Sequence, residues 1–205
     1  MIVVGAGGLA KQLFDEILFL SSYDTIFFFD DFSSSDSDEL FGRPIYNDIN
    51  FAIKHFREDP RFVIAFSGAV HRKNALTKFQ ILGGKCIQII SQTAQIAKNV
   101  GFISNTCTIM SGVIIESSTV INDGVLINNR ALIHHDVCLG EFCEIAPNAC
   151  ILGNVIVESN VFIGANAVIL PGLHIGSNAV IGAGSVVTKN VMHGTKVVGN
   201  PAKYL

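Results

Sequence analysis

Residues 145–168 read IAPNAC, ILGNVI, VESNVF, IGANAV. Each six-residue word opens on Ile or Val and carries Ala or Val at its fifth letter. The register extends upstream through Leu139, Ile133, Ile127 and Ile121 to Ile115, and downstream through Ile169, Ile175 and Ile181 to Val187. Thirteen hexads hold it without a break, and every first letter is aliphatic. Fifth letters from 119 to 185 are Thr, Val, Ala, Val, Cys, Ala, Val, Val, Ala, Leu, Ala and Ser, all small or modest in size. A six-residue period with one large and one small interior residue is the mark of a parallel β-helix. Each hexad is a short strand plus a turn, and two of its six side chains point into a narrow, dry interior. With three hexads to a coil, residues eighteen apart stack.

Upstream the grammar changes. Ile2-Val3-Val4 is a short apolar run, followed by Gly5-Ala6-Gly7-Gly8 and a helical pattern from Leu9 to Leu20 with Leu13, Ile17 and Leu20 on one face. Ile26 to Phe29 reads as a second buried strand ending in Asp30-Asp31, and Phe32 to Glu39 as a Ser/Asp-rich mobile loop. Asp48 caps a helix running to about Arg57. Phe62 to Phe66 is a third strand, Arg72 to Leu82 a helix stopped by Gly83-Gly84, and Cys86 to Ile90 a fourth strand. Strands alternating with helices predict a small parallel α/β sheet, about half of a doubly wound Rossmann fold. The expected domains are therefore 1–90 and 91–205, with Ile96 to Phe102 as an imperfect first coil, one residue out of register with Ile103.

Bulk properties narrow the function classes. Of the 205 residues, 49% are apolar and 15% charged, so a monomer would expose much apolar surface and an oligomer is expected. A net charge of −3 gives no pull toward nucleic acid or an anionic membrane. No run of about 18 apolar residues is present, so no membrane span is expected. Met1 leads into Ile2-Val3-Val4-Gly5 with no basic n-region, which argues against a secretory signal and for a cytoplasmic protein. The five cysteines contain no Cys-x-x-Cys pair and read as reduced, small core residues.

Two places carry possible chemistry. The turn Gly5-Ala6-Gly7-Gly8 lies between a strand and a helix, where backbone N–H groups can meet a phosphate, and Asp30-Asp31 closes the next strand, where a carboxylate can hold a ribose or a base. The same turn also reads as a plain tight turn. It is not a full dinucleotide fingerprint, since Ala10 stands at the last glycine position. The other place is His134-His135-Asp136, just after the interior residue Ile133. Ser117 and Gly153 stack on His135 and leave a recess around its ring. An imidazole beside a carboxylate suits general-base work. Both histidines as ordinary surface residues is the alternative. A three-histidine zinc site fits poorly, because His174 lies more than two coils from His135.

With these residues the chain resembles the bacterial hexapeptide acyltransferases of the sialic acid O-acetyltransferase and nucleotide-aminosugar N-acetyltransferase family. The resemblance rests on Gly5 to Gly8 with Lys11, Asp30-Asp31, His135-Asp136 within Asn128 to Pro147, Gly182 to Val187, and Val198 to Lys203. It implies a left-handed β-helix, a homotrimer with sites between neighbouring chains, acetyl-CoA as donor, and a nucleotide-linked sugar on the N-terminal domain. It implies His135 as catalytic base and Asp136 as its acidic partner. Asn128, Glu144 and Gly153 are implied near the thioester end, with Ala165, Ala183 and Lys203 along the rest of the acetyl-CoA path. Gly5, Gly7 and Gly8 would take the diphosphate and Asp30-Asp31 would face the nucleoside, with Leu9 and Arg72 also at the nucleotide sugar. Leu9 and Glu144 stand where the family commonly has histidines. The expected reaction is N-acetylation of a UDP- or dTDP-linked 4-amino-deoxysugar in the making of a surface polysaccharide. O-acetylation of sialic acid or CMP-sialic acid, a non-catalytic β-helix binding module and a dinucleotide-dependent oxidoreductase are the rival readings.

Overall fold

The computed structural model describes residues 1–20, 25–31 and 38–205. They form two compact units, Met1–Ile89 and Ile90–Leu205. In the first, β1 (Ile2–Val4), β2 (Phe27–Phe29), β3 (Glu39–Leu40), β4 (Arg43–Tyr46), β5 (Arg61–Ile64) and β6 (Lys85–Cys86) make one sheet in the order β3-β4-β2-β1-β5-β6. All neighbours are parallel except the β3–β4 hairpin. The central strand β1 is buried along its whole length, which is why it reads as an unbroken apolar run. Helix α1 (Gly8–Leu20) turns Ala10, Leu13, Phe14 and Ile17 into the core. The side chain of Leu20 lies outside the described residues, as do residues 32–37 of the expected loop.

Helix α2 (Ile49–His55) begins where expected, with the Asp48 carboxylate accepting the Asn50 N–H at 3.0 Å. Helix α3 (Ala69–Ile81) starts three residues earlier than the pattern predicts, because Gly68 at φ +92° turns the chain into it. Two features depart from the expected α/β layout. The β3–β4 hairpin is additional. The expected strand over Cys86–Ile90 is two strands: Lys85–Cys86 pairs with β5, whereas Ile89–Ile90 opens a sheet of the β-helix.

The second unit is a left-handed parallel β-helix with three faces. Face 1 has eight strands from Ile89–Ile90 to Lys203–Tyr204, face 2 six from Gln95–Ile96 to Val186–Val187, and face 3 five from Phe102–Ile103 to His174–Ile175. Pairing steps by eighteen residues, as in Ile127↔Ile145 and Ile133↔Ile151. First letters from Ile115 to Val187 are at most 1% exposed. The polar fifth letters are satisfied rather than tolerated. The Thr119 hydroxyl donates to the His134 carbonyl at 2.9 Å, and the Cys107 and Cys143 thiols donate to the Asn122 and Glu158 carbonyls at 3.0 and 2.9 Å.

Both ends of the coil break the period, each by a visible device. Ile96 and Ile103 are seven residues apart, and the N–H groups of Gly101 and Phe102 both donate to the Thr119 carbonyl, at 3.0 and 3.1 Å. That is a bulge absorbing one residue. At the far end Ile175 bridges Val191, so the last coil is two residues short. Lys203–Tyr204 then runs antiparallel on Lys196–Val198 and covers the open edge. Among the described residues no helix is long and apolar enough to cross a membrane.

Candidate active site

His135 lies on the corner between faces 2 and 3. Backbone bonds stitch this corner from coil to coil: Asp136 N–H to the Ser117 carbonyl (3.1 Å), Asn154 N–H to that of His135 (3.1 Å), and Gly172 N–H to that of Gly153 (2.9 Å). Ser117, His135 and Gly153 are thus one column. The imidazole leans onto Gly153 so closely that a Cβ there would sit 2.5 Å from Cε1 and 2.7 Å from Nε2. Glycine at 153 is what gives the ring its place.

His135 Nδ1 is 2.8 Å from Asp136 Oδ2. Asp136 has φ +59°, the left-handed conformation that recurs at the corners of this coil. Aspartate adopts it more readily than most residues, so the corner carries a carboxylate at small cost. With Nδ1–H donating to Asp136, Nε2 holds the lone pair, and the ring remains accessible at 46% side-chain exposure. His134 meets the same ring edge-on at a centroid distance of 4.9 Å, and its own Nδ1 lies 3.4 Å from Glu116 Oε2. Among the described residues no backbone hydrogen bond engages the Gly153 N–H.

The expected acetyl-CoA residues do not all gather here within one chain. Ala165 and Ala183 belong to the corner between faces 1 and 2, where Gly184 N–H donates to the Ala165 carbonyl at 2.8 Å. Asn128 and Glu144 are buried on face 1, opposite the His135 corner, and the Asn128 amide donates to the Ile145 carbonyl at 3.1 Å. Lys203 lies at the C-terminal hairpin, beside a small cavity shared with Thr188, Asn190 and Tyr204. His174 is paired with Glu158 at 2.9 Å and His193 with Ser177 at 2.9 Å. Among the described residues no three His, Cys, Asp or Glu side chains converge as metal ligands.

The N-terminal unit holds a second recess of about 410 Å³. It is lined by Gly5, Ala6, Gly7 and Asp30, as the strand–turn–helix reading suggests, and also by Phe66, Ser67 and His71. Gly5 has φ +108° and no room for a Cβ, which would lie 2.9 Å from the Ala65 carbonyl oxygen. Asp30 is 8% exposed and accepts the Ala6 N–H at 3.1 Å. The other expected residues lie off this wall. Gly8 and Leu9 begin α1, Asp31 is drawn to Lys78 at 2.6 Å, and Arg72 is buried at 3% exposure. Phe66, Ser67 and His71 escape a sequence reading because they follow β5, which only the sheet order brings beside the glycine turn.

Residues 1–79 match the family model of the PglD N-terminal domain, and residues 154–189 match that of the hexapeptide repeat of succinyl-transferase. Solved structures similar over the whole chain include three of known source. The acetyltransferase domain of PglB from Neisseria gonorrhoeae, in complex with acetyl coenzyme A, is 26% identical with a TM-score of 0.92, and 98% of it is covered. A His-to-Asn mutant of perosamine N-acetyltransferase from Caulobacter crescentus, in complex with CoA and GDP-perosamine, is 26% identical with a TM-score of 0.90 and 95% covered. WeeI from Acinetobacter baumannii is 28% identical with a TM-score of 0.90 and 98% covered. All of this chain is covered in each case. The chain is a hexapeptide-repeat acyltransferase with a PglD-type N-terminal domain. A search by sequence among curated proteins found no match. The two-part architecture is therefore carried by the fold and by the two matched segments, one in each unit.

Proposed function

We propose that the chain transfers the acetyl group of acetyl-CoA to the amino group of a nucleotide-linked 4-amino-deoxysugar, with His135 as general base. The observation that carries this is the His135–Asp136 pair, 2.8 Å apart, with the imidazole seated on Gly153. The complexes of similar structures with acetyl coenzyme A, and with CoA and GDP-perosamine, support the donor and the acceptor class. UDP and dTDP are the proposed carriers, and GDP joins them from the relative with GDP-perosamine.

The chemistry is direct transfer. The acceptor amine attacks the thioester carbonyl carbon and a C–N bond forms. His135 Nε2 takes the proton from the amine, while Asp136 holds Nδ1–H and stabilises the imidazolium. The Gly153 N–H would donate to the carbonyl oxygen as it gains charge. The C–S bond breaks, and the CoA thiolate takes up the proton. No acyl-enzyme is needed, and holding both substrates together supplies part of the acceleration.

A homotrimer is part of this proposal. The outward column of face 2, Ile114, Leu132, Cys150, Val168 and Val186, is apolar from coil to coil and suits burial against a second copy. Such packing would bring acetyl-CoA residues on other corners of one copy toward His135 of the next. The cytoplasm, where acetyl-CoA and nucleotide sugars are made, is the proposed compartment.

Thiol release from acetyl-CoA tests the reading, using UDP-, dTDP- and GDP-linked 4-amino-deoxysugars beside sialic acid and CMP-sialic acid. Turnover with an aminosugar supports it. Turnover with sialic acid or CMP-sialic acid alone moves the assignment to O-acetylation, and no thiol release with any acceptor revives the binding-module reading.

A further inference from the structure

We propose that His71 donates a hydrogen bond to the diphosphate of the nucleotide-linked acceptor and so sets the affinity of the N-terminal recess. This rests on reading that recess as the nucleotide site. The wall chemistry singles the residue out. At about 410 Å³ the cavity is of ligand size. Its floor is the glycine turn, where Gly7 faces open space, but the Ala6 N–H is already bonded to Asp30. The Asp30 carboxylate opposes an anion. The nearby cations do not line the cavity: Lys78 is drawn to Asp31 at 2.6 Å, and Arg72 is buried. Among the described lining residues, Ser67 and His71 are the two whose side chains carry a polar hydrogen donor, and His71 has the longer reach.

The local backbone is arranged around that imidazole. Gly68 enters α3 at φ +92°, and a Cβ on it would stand 3.2 Å from His71 Cδ2. The ring therefore lies back over the helix entry, at the cavity rather than out along the helix. A neutral imidazole N–H is a sufficient donor, and a charged phosphate acceptor makes the bond a strong one.

Calorimetric titration of the full chain with UDP, dTDP and GDP tests this. The native protein should bind at least one, and His71→Ala should weaken that binding about tenfold to a hundredfold. His71→Gln, which keeps an N–H donor, should recover most of the loss. In turnover the same variants should raise KM for the acceptor and leave kcat at saturation in place, with an unchanged near-UV circular dichroism spectrum and melting of the N-terminal unit showing that they fold. The matching nucleoside, without phosphates, should not distinguish native from variant. Equal diphosphate affinity in native and His71→Ala overturns the assignment while the pocket reading stands. A loss that extends to the nucleoside also overturns it and puts the imidazole at the base. A native chain that binds none of the three overturns the nucleotide reading of the recess, and this proposal with it.

Discussion

Ile145 in the β-helix and Phe79 in the N-terminal unit are both completely buried, yet they sit in different kinds of core. Ile145 is one layer in a column, with Ile127 and Ile163 stacked on either side of it, eighteen residues away in each direction. Every layer above and below repeats that environment. Phe79 comes from α3 and packs on Phe29 of β2 at 5.2 Å and on Phe62 of β5 at 5.5 Å. Among the described residues of its unit, no other ring pairs with both Phe29 and Phe62. A periodic core spreads its stability evenly and writes itself into the sequence, whereas an aromatic core concentrates it in a few long-range contacts. In both units the candidate chemistry stands on turns rather than in the core: the His135 corner and the Gly5 turn.

Truncation should expose this difference most strongly. Phe79→Ala should cost about 3–5 kcal/mol and melt the N-terminal unit selectively, read by near-UV circular dichroism. Ile145→Ala should cost about 2–5 kcal/mol, and Val187→Ala, beside the shortened last coil, distinctly less. Equal losses at Ile145 and Val187 would break the picture of a core whose layers matter by position. Gly153→Ala should act on catalysis instead. Its methyl would occupy the space of the imidazole, so kcat should fall about a hundredfold with Tm nearly unchanged.

Electrostatic changes should be smaller. The Arg61 guanidinium, bonded to both oxygens of Asp59 at 2.7 Å, and then the Met1 amino group hold that carboxyl far below its ordinary value of 3.8. A depressed carboxylate stabilises the fold above the unfolded-state pKa and loses that contribution as pH falls through the folded one. Melting of the N-terminal unit should therefore drop below about pH 4, and Asp59→Asn should remove that part of the slope. In the β-helix, Glu158 is likewise held low, first by the backbone N–H of Ser177, but it is a surface group beside His174. Glu158→Gln should leave Tm where it is.

How much was legible follows from the same contrast. The hexads announce faces, interior residues and coil length, because each strand's partner lies a fixed eighteen residues away. The stacking of Ser117 and Gly153 on His135 followed from counting alone. The ends were less readable. The Gly101–Phe102 bulge and the shift to Val191 each change the count, and a period cannot announce its own interruption. In the N-terminal unit, strands and helices were visible as runs, but which run lies beside which was not. The β3–β4 hairpin stayed hidden because it is short and contains Pro44. Phe66, Ser67 and His71 stayed hidden because their role depends on β5 lying next to β1. Asn128 and Glu144 were grouped with His135 by resemblance, and the coil places them on the opposite face of the same chain.

The central claim is that His135, steadied by Asp136, removes the proton from the acceptor amine. It is tested most directly by single-turnover acetyl transfer to the best aminosugar acceptor, comparing the native chain with His135→Ala. The account predicts a fall in the transfer rate of about 10²–10⁴-fold with acceptor and acetyl-CoA affinities preserved. A His135→Ala chain that transfers at the native rate would contradict it.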